Sequence, residues 1–266
     1  MSESKIRLEG MTKIFQTRFQ TITAVENVDM HIAPGDFVSV IGPSGCGKST
    51  IIRMIADIIK PTSGRIYIDG EDVSSYKRIP VEVIRKMGFI FQLPNMFPWR
   101  TVRENIMLPL DVFNLKGKEW EDYADELLAM TGLTDIKDAY PVEISGGSMQ
   151  RAGVIRAMVH KPEILLMDEP FGALDEMKRE QLNMELLDIW KATGKTIIFI
   201  THSVEEAVLL SNRVYVMATN PGRIVDEVVI DLDRPRDLSL IANPKFIDYC
   251  ASLTDKIGRI ELDRIK

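Results

Sequence analysis

Phe37-Val38-Ser39-Val40-Ile41-Gly42-Pro43-Ser44-Gly45-Cys46-Gly47-Lys48-Ser49-Thr50 decides the fold of this chain. Its opening, Phe37 to Ile41, is uncharged, the habit of a strand buried on both faces of a parallel sheet. Gly42 to Ser49 then spells G-x-x-x-x-G-K-S. Beyond it Ile51, Ile52, Ile55, Ile58 and Ile59 recur at helical spacing, which predicts a helix over 49–59. Strand, glycine loop and helix in that order make a phosphate cradle. The glycines permit a tight loop with inward-pointing N–H groups, and the helix adds the positive end of its dipole. Lys48 would reach the β- and γ-phosphates of a nucleotide, and the Ser49 hydroxyl would ligate Mg²⁺.

Outward from this stretch the chain reads as α/β. Ile6, Leu8 and Met11, then Val25, Val28, Met30 and Ile32, predict strands facing one side of a sheet. Strands are also expected at 65–68, 88–91, 164–167, 196–200, 214–217 and 224–230. Helices are expected through Leu182, Leu186 and Ile189, and over 204–210. Between about 95 and 160 the β-branched runs give way to helical patterns with acidic faces, so this segment reads as a helical lobe inserted in the α/β core. The expected organisation is one domain over 5–236 followed by a short helical tail, 237–266.

Composition narrows the function. The 266 residues carry 33 Lys+Arg against 39 Asp+Glu, a net charge of −6, which suits a folded core and argues against a broad nucleic-acid or polybasic membrane surface. Cys46 and Cys250 stand in no metal-ligand spacing and make no disulfide framework, which fits a reducing compartment. The opening MSESKIRLEG lacks the apolar region of a secretory signal. Nowhere do about 18 apolar residues run together. The chain therefore reads as a soluble cytosolic protein.

Two further stretches carry chemistry. Ile164-Leu165-Leu166-Met167-Asp168-Glu169 describes a buried strand that delivers two acids at its carboxyl end, where open α/β sheets place their ligands. Asp168 would hold Mg²⁺ and Glu169 would polarise an attacking water. Read alone, the pair could equally cap the next helix. Ile144-Ser145-Gly146-Gly147-Ser148-Met149-Gln150-Arg151 offers a hydroxyl and two unhindered N–H groups at a helix start, a second anion site.

At this point the sequence resembles the ATP-binding-cassette ATPases, over nearly the whole of 5–236. The resemblance implies a P-loop NTPase core, a mixed and parallel sheet with an antiparallel β subdomain, plus the helical lobe. It makes Gly42, Pro43, Ser44, Gly45, Cys46, Gly47, Lys48, Ser49 and Thr50 the ATP-binding loop. Ser145-Gly146-Gly147 resembles the family's signature motif, which acts in trans across a head-to-tail dimer burying two ATP molecules. Gln92 resembles the Q-loop glutamine that touches Mg²⁺, alongside Ser49 and Asp168 as metal ligands. Gly172-Ala173-Leu174-Asp175 resembles the D-loop, and His202 the switch histidine at the γ-phosphate. The resemblance thus implies Glu169 and His202 as the catalytic pair. Phe15 resembles the aromatic that stacks on adenine, with Phe19 competing for the role. Ser148 departs from the family's glutamine at that position, which bears on how firmly a dimer closes.

The segments 201–210, 220–227 and Arg234-Pro235-Arg236-Asp237, with Gln92 to Val102, are similar to the nitrate, sulfonate and taurine importer ATPases. This implies a motor subunit, ATP and Mg²⁺ as cofactors, and a second ATPase subunit, expected to be an identical copy. It also implies separate permease subunits, an extracytoplasmic binding protein and a place on the cytoplasmic face of the inner membrane, with no nucleic-acid partner. The opposed readings are a non-transport cassette ATPase and a regulatory subunit without turnover. Leu93, Met96, Phe97 and Trp99 read either as a partner surface or as packing for the lobe.

Overall fold

The computed structural model of the chain describes residues 4–172 and 174–265, so Ala173 of the D-loop-like stretch lies outside the described residues. The strands are β1 (Ile6–Gln16), β2 (Thr21–Ile32), β3 (Phe37–Ile41), β4 (Ser63–Ile68), β5 (Glu71–Asp72) and β6 (Met87–Ile90). They continue with β7 (Ile164–Asp168), β8 (Thr196–Ile200), β9 (Arg213–Ala218) and β10 (Arg223–Val229). The first helices are α1 (Lys48–Ile55), α2 (Val81–Ile84), α3 (Val102–Val112) and α4 (Lys118–Met130). Then come α5 (Gly146–Met158), α6 (Glu176–Thr193), α7 (Val204–Leu210) and α8 (Pro244–Ile265). Among the described residues no helix is long and apolar enough to cross a membrane.

Contacts divide the chain into two compact units, Met1–Pro80 with Asn183–Lys266, and Val81–Leu182. In the first, β1 is antiparallel to β2 on one side and to β4 on the other, with β5 beyond. Ile6, Leu8, Met11, Val28, Met30 and Ile32 are buried. The step from Leu8 to Met11 breaks the period of two because the ladder slips there. Gly10 (φ 54°) and Asn27 (φ 48°) take left-handed backbone at the slip. Thr12 Oγ1 accepts from Asn27 N–H at 3.0 Å and Asp29 from Gly10 N–H at 2.8 Å.

The same unit holds β3 between parallel β8 and β9, with β10 antiparallel on β9. All of β3 and β8 is buried, as uncharged runs require, whereas β10 alternates exposed and half-buried residues. Trp190 of α6 covers β3: its ring meets Phe37 edge-on at 6.0 Å and its indole N–H donates to the Gly35 carbonyl at 3.1 Å. Helix α1 ends at Ile55, short of the expected 59. Asp57 turns left-handed (φ 58°), and Ile58 and Ile59 both donate to the Arg53 carbonyl, so Ile58 is left half-exposed.

The Arg-Pro-Arg stretch closes this unit. Arg236 is 6% exposed and donates to the carbonyls of Val208, Leu209, Ser211, Ile230 and Leu232, so a cation satisfies the carboxyl end of α7. Arg234 lies over the Trp190 ring at 4.1 Å and donates to the Leu210 carbonyl. Burial pushes both guanidinium groups down to about 10, helped at Arg236 by repulsion from Arg234. Both remain cations at neutral pH.

In the second unit β6 and β7 pair in parallel. The strand expected at 88–91 runs one residue earlier. Gly88 faces α5 so closely that a Cβ there would sit 2.2 Å from the Ala157 carbonyl oxygen. Helix α3 starts in a capping box: Thr101 Oγ1 accepts from Glu104 N–H, and the Glu104 carboxylate accepts from Thr101 N–H. Val102, Ile106 and Leu110 of α3, Leu127 and Leu128 of α4 and Ile155 of α5 are buried.

Candidate functional site

The residues expected to bind nucleotide are shared between the two units. The Gly42–Thr50 loop, Phe15 and His202 belong to the first. Gln92, Ser145 to Gly147, Asp168, Glu169 and Asp175 belong to the second.

In the first unit the loop joins β3 to α1. Gly42 (φ 153°) and Gly47 (φ 97°) have backbone that other residues avoid, and there is no room for a side chain. A Cβ on Gly42 would lie 2.4 Å from the Met217 carbonyl oxygen, and one on Gly47 would lie 2.8 Å from that of Ala24. Lys48 is buried, its Nζ donating to the carbonyls of Gly42 at 2.8 Å and Pro43 at 3.2 Å. Burial pushes the Cys46 thiol up against the opposing pull of Lys48, so it stays protonated. Helix α1 follows a glycine N-cap with no side-chain bond and has no acid in its first turn. By contrast α3, α5 and α7 are capped by Thr101, Ser145 and Ser203. An uncapped helix start beneath a glycine loop with a buried amine suits phosphate oxygens.

Phe15 lies near the end of β1, 38% exposed, with Lys13 Nζ 5.0 Å from its ring centre. Phe19, in the turn to β2, is 96% exposed. His202 is exposed between β8 and α7.

In the second unit Asp168 ends β7 and is buried. Glu169 follows with φ 46°, a left-handed conformation that costs a non-glycine residue on the order of 1 kcal/mol and sharply re-aims the chain after the strand. Gln92 Nε2 donates to Glu169 Oε2 at 3.4 Å. The hydroxyl of Ser49, the amide of Gln92 and the carboxylate of Asp168 are oxygen donors of the kind that suits Mg²⁺, which keeps waters and substrate phosphates in its shell. Among the described residues there is no cluster of three or more His, Cys, Asp or Glu that could hold a metal by itself.

Ser145 caps α5, its Oγ accepting from Ser148 N–H at 3.1 Å, and the two hydroxyls stand 3.0 Å apart. A Cβ on Gly146 would meet nothing within 4 Å, and one on Gly147 only Lys178 Cδ at 3.7 Å and Ser145 Oγ at 3.9 Å. Asp175 accepts from Lys178 N–H at 3.1 Å and pairs with its amine at 2.7 Å, bonds that hold the Asp175 carboxyl below the usual range.

Contacts that the sequence did not single out tie α5 to the segment after β6. Gln150 Nε2 donates to the Gln92 carbonyl at 3.1 Å, and Arg156 donates to the carbonyls of Pro94 at 2.5 Å and Asn95 at 3.0 Å. Buried Asn105 binds Phe97 through both its N–H and its carbonyl. Phe97 and Met96 are thereby half-buried, while Leu93 and Trp99 stay 64% and 70% exposed. Nothing in the sequence set Gln150 or Asn105 apart from other polar residues on a helix.

A glycine loop feeding an uncapped helix, and acids at the end of a parallel strand, define a nucleotide-binding ATPase cassette. The ABC transporter family model matches residues 25–172. An uncharacterized ABC transporter ATP-binding protein of Methanocaldococcus jannaschii is 41% identical over 92% of this chain and 88% of its own. An aliphatic sulfonates import ATP-binding protein of Bacillus cereus is 42% identical over 87% and 88%. Among solved structures, a dimeric ATP-binding cassette in a post-hydrolysis state with ADP and Pi superposes with a TM-score of 0.76. That cassette is 32% identical and covers 86% of this chain and all of its own. The chain belongs to the ABC transporter family and is an ATPase.

Proposed function

We propose that this chain is the motor subunit of an ABC importer. It closes head-to-tail with a second copy around two ATP molecules, and drives a separate permease to take up a small anion of the nitrate, sulfonate or taurine type. The observation that carries the importer reading is the 42% identity with an aliphatic sulfonates import protein across 87% of the chain. Its place is peripheral, on the cytoplasmic face of the inner membrane, with an extracytoplasmic binding protein completing the complex.

The roles of the loop and of the acids follow from their chemistry, and those of Phe15, Gln92, His202, Ser145 to Gly147 and Asp175 from the family resemblance. The Gly42–Thr50 loop cradles the phosphates, Lys48 neutralises the β- and γ-oxygens, and Phe15 stacks on the adenine. Ser49, Gln92 and Asp168 would hold Mg²⁺, which would supply further charge neutralisation at the phosphates. Glu169 polarises the attacking water, with Gln92 hydrogen-bonded to its carboxylate, and His202 contacts the γ-phosphate. Ser145, Gly146 and Gly147 serve the partner's nucleotide, and Asp175 the dimer interface.

Support for action in trans comes from the two signature glycines. Among the described residues no atom crowds a Cβ at either position more closely than ordinary contact. That space leaves room for a group from outside the chain, which supports the reading.

The test is recovery of the tagged chain from solubilised membranes of its own cells. Permease chains and a binding protein in the eluate support the importer reading. Recovery of the chain from the soluble fraction alone, with no membrane partner, contradicts it.

A further inference from the structure

Glu206 is the acid that the proposed machinery does not use. It lies on α7 with only 8% of its surface exposed, and its partners among the described residues are neutral donors. Thr201 donates to one carboxylate oxygen, and Asn183 Nδ2 of α6 donates to the other at 3.1 Å. Thr201 and Asn183 are 2% and 3% exposed. Thr201 Oγ1 in turn accepts from Ser203 N–H at 3.0 Å, and Ser203 Oγ accepts from Glu206 N–H at 3.1 Å. The residue between Thr201 and Ser203 is His202.

A buried carboxylate without a cation is expensive, and an apolar side chain of similar size would stabilise the fold at lower cost. The geometry supplies another reason for an acid here. Thr201 and Asn183 both point protons at position 206, and only a group that accepts on both oxygens satisfies them together. Once it does, the hydroxyl of Thr201 is oriented to take the Ser203 N–H. The backbone is then pinned on either side of His202, whose imidazole is exposed.

We propose that Glu206 is a positioning residue for His202, with Asn183 as its brace. Its buried carboxylate sets where the switch imidazole stands. The proposal rests on the reading of His202 as the γ-phosphate contact. Glutamine at 206 keeps the size but turns an N–H toward one of the two donors. Exchanging the pair, Glu206→Gln with Asn183→Asp, restores complementarity: the new amide donates to the carboxylate at 183 and still accepts from Thr201.

The experiment is steady-state ATP turnover with purified chains whose folding is checked by thermal melting. Glu206→Gln lowers kcat by about tenfold or more, the scale of a misplaced group, while KM for ATP stays within about twofold. The exchanged double variant recovers most of kcat, and Thr201→Val, which removes only the relay hydroxyl, reproduces the loss. If Glu206→Gln and Thr201→Val turn over at wild-type rates while His202→Ala is inactive, the positioning role is wrong and the reading of His202 stands. If His202→Ala itself turns over at the wild-type rate, both fall. A double variant as impaired as Glu206→Gln alone also overturns the proposal.

Discussion

The carboxamide of Gln92 donates to the carboxylate of Glu169 across 3.4 Å, and its main-chain carbonyl accepts from Gln150 on α5 at 3.1 Å. One residue thus touches both the acid that follows β7 and the helix that begins with Ser145. The left-handed backbone of Glu169 is what turns that acid off the end of the strand. Glu169→Gln keeps the shape and removes the base. Phosphate release should fall by about 10²–10⁴-fold, the range lost with a general base, while ATP binding persists.

Lys48 is predicted to matter at the binding step. Its buried amine donates to Gly42, Pro43 and Cys46 of its own loop, and in the proposed role exchanges those carbonyls for phosphate oxygens. Charge-assisted bonds of this kind contribute about 1.5–3 kcal/mol, so Lys48→Ala should weaken ATP binding by roughly tenfold to a hundredfold. Titration calorimetry measures this. Unchanged affinity would remove the loop from the site.

The glycines separate fold from function. Gly47→Ala forces a Cβ against Ala24 and Val25 in a backbone conformation with φ 97°, and should cost about 1–3 kcal/mol of stability along with nucleotide binding. Gly146→Ala meets no neighbour, so the isolated chain should be as stable as wild type or more so by about 0.5–1 kcal/mol. Its ATP turnover should nevertheless drop, because in the proposed dimer that space is taken by the partner's nucleotide. Urea unfolding and an ATPase assay on the same samples distinguish the two positions.

Arg236 predicts a purely structural loss. Truncation to alanine leaves five carbonyls that it now satisfies, among them those ending α7. The expected destabilisation is about 3–5 kcal/mol, since each buried carbonyl left without a donor costs about 1–3 kcal/mol and several are left at once. Lysine should restore little, because a point charge cannot reach the same set of acceptors as a planar fork. A urea midpoint within error of wild type for Arg236→Ala would contradict this.

Local chemistry explains which features were legible in the sequence. Uncharged runs such as Phe37 to Ile41 and Ile164 to Met167 can only be strands buried on both faces, and both are. The position of the glycine loop between strand and helix followed from residue types with one use in that order. The slip in β1 at Gly10 and the early stop of α1 at Asp57 were not legible, because each rests on a left-handed residue with a bond to a distant part of the chain. Asp29 accepts from Gly10 N–H, and the Asp57 carboxylate from Ile79 N–H. The bonds from Gln150 to Gln92, and from Asn183 to Glu206, join residues 58 and 23 apart. Neither leaves a pattern along the chain, since a polar residue on a helix looks the same whether it faces water or another segment.

The central claim is that ATP joins two copies of this chain, each lending its Ser145-Gly146-Gly147 to the other's nucleotide. Sedimentation of the Glu169→Gln variant with and without Mg-ATP tests it most directly. The variant should be monomeric without nucleotide and dimeric with it, and adding Ser145→Arg should abolish those dimers. A variant that binds ATP at saturation yet sediments as a monomer would contradict it.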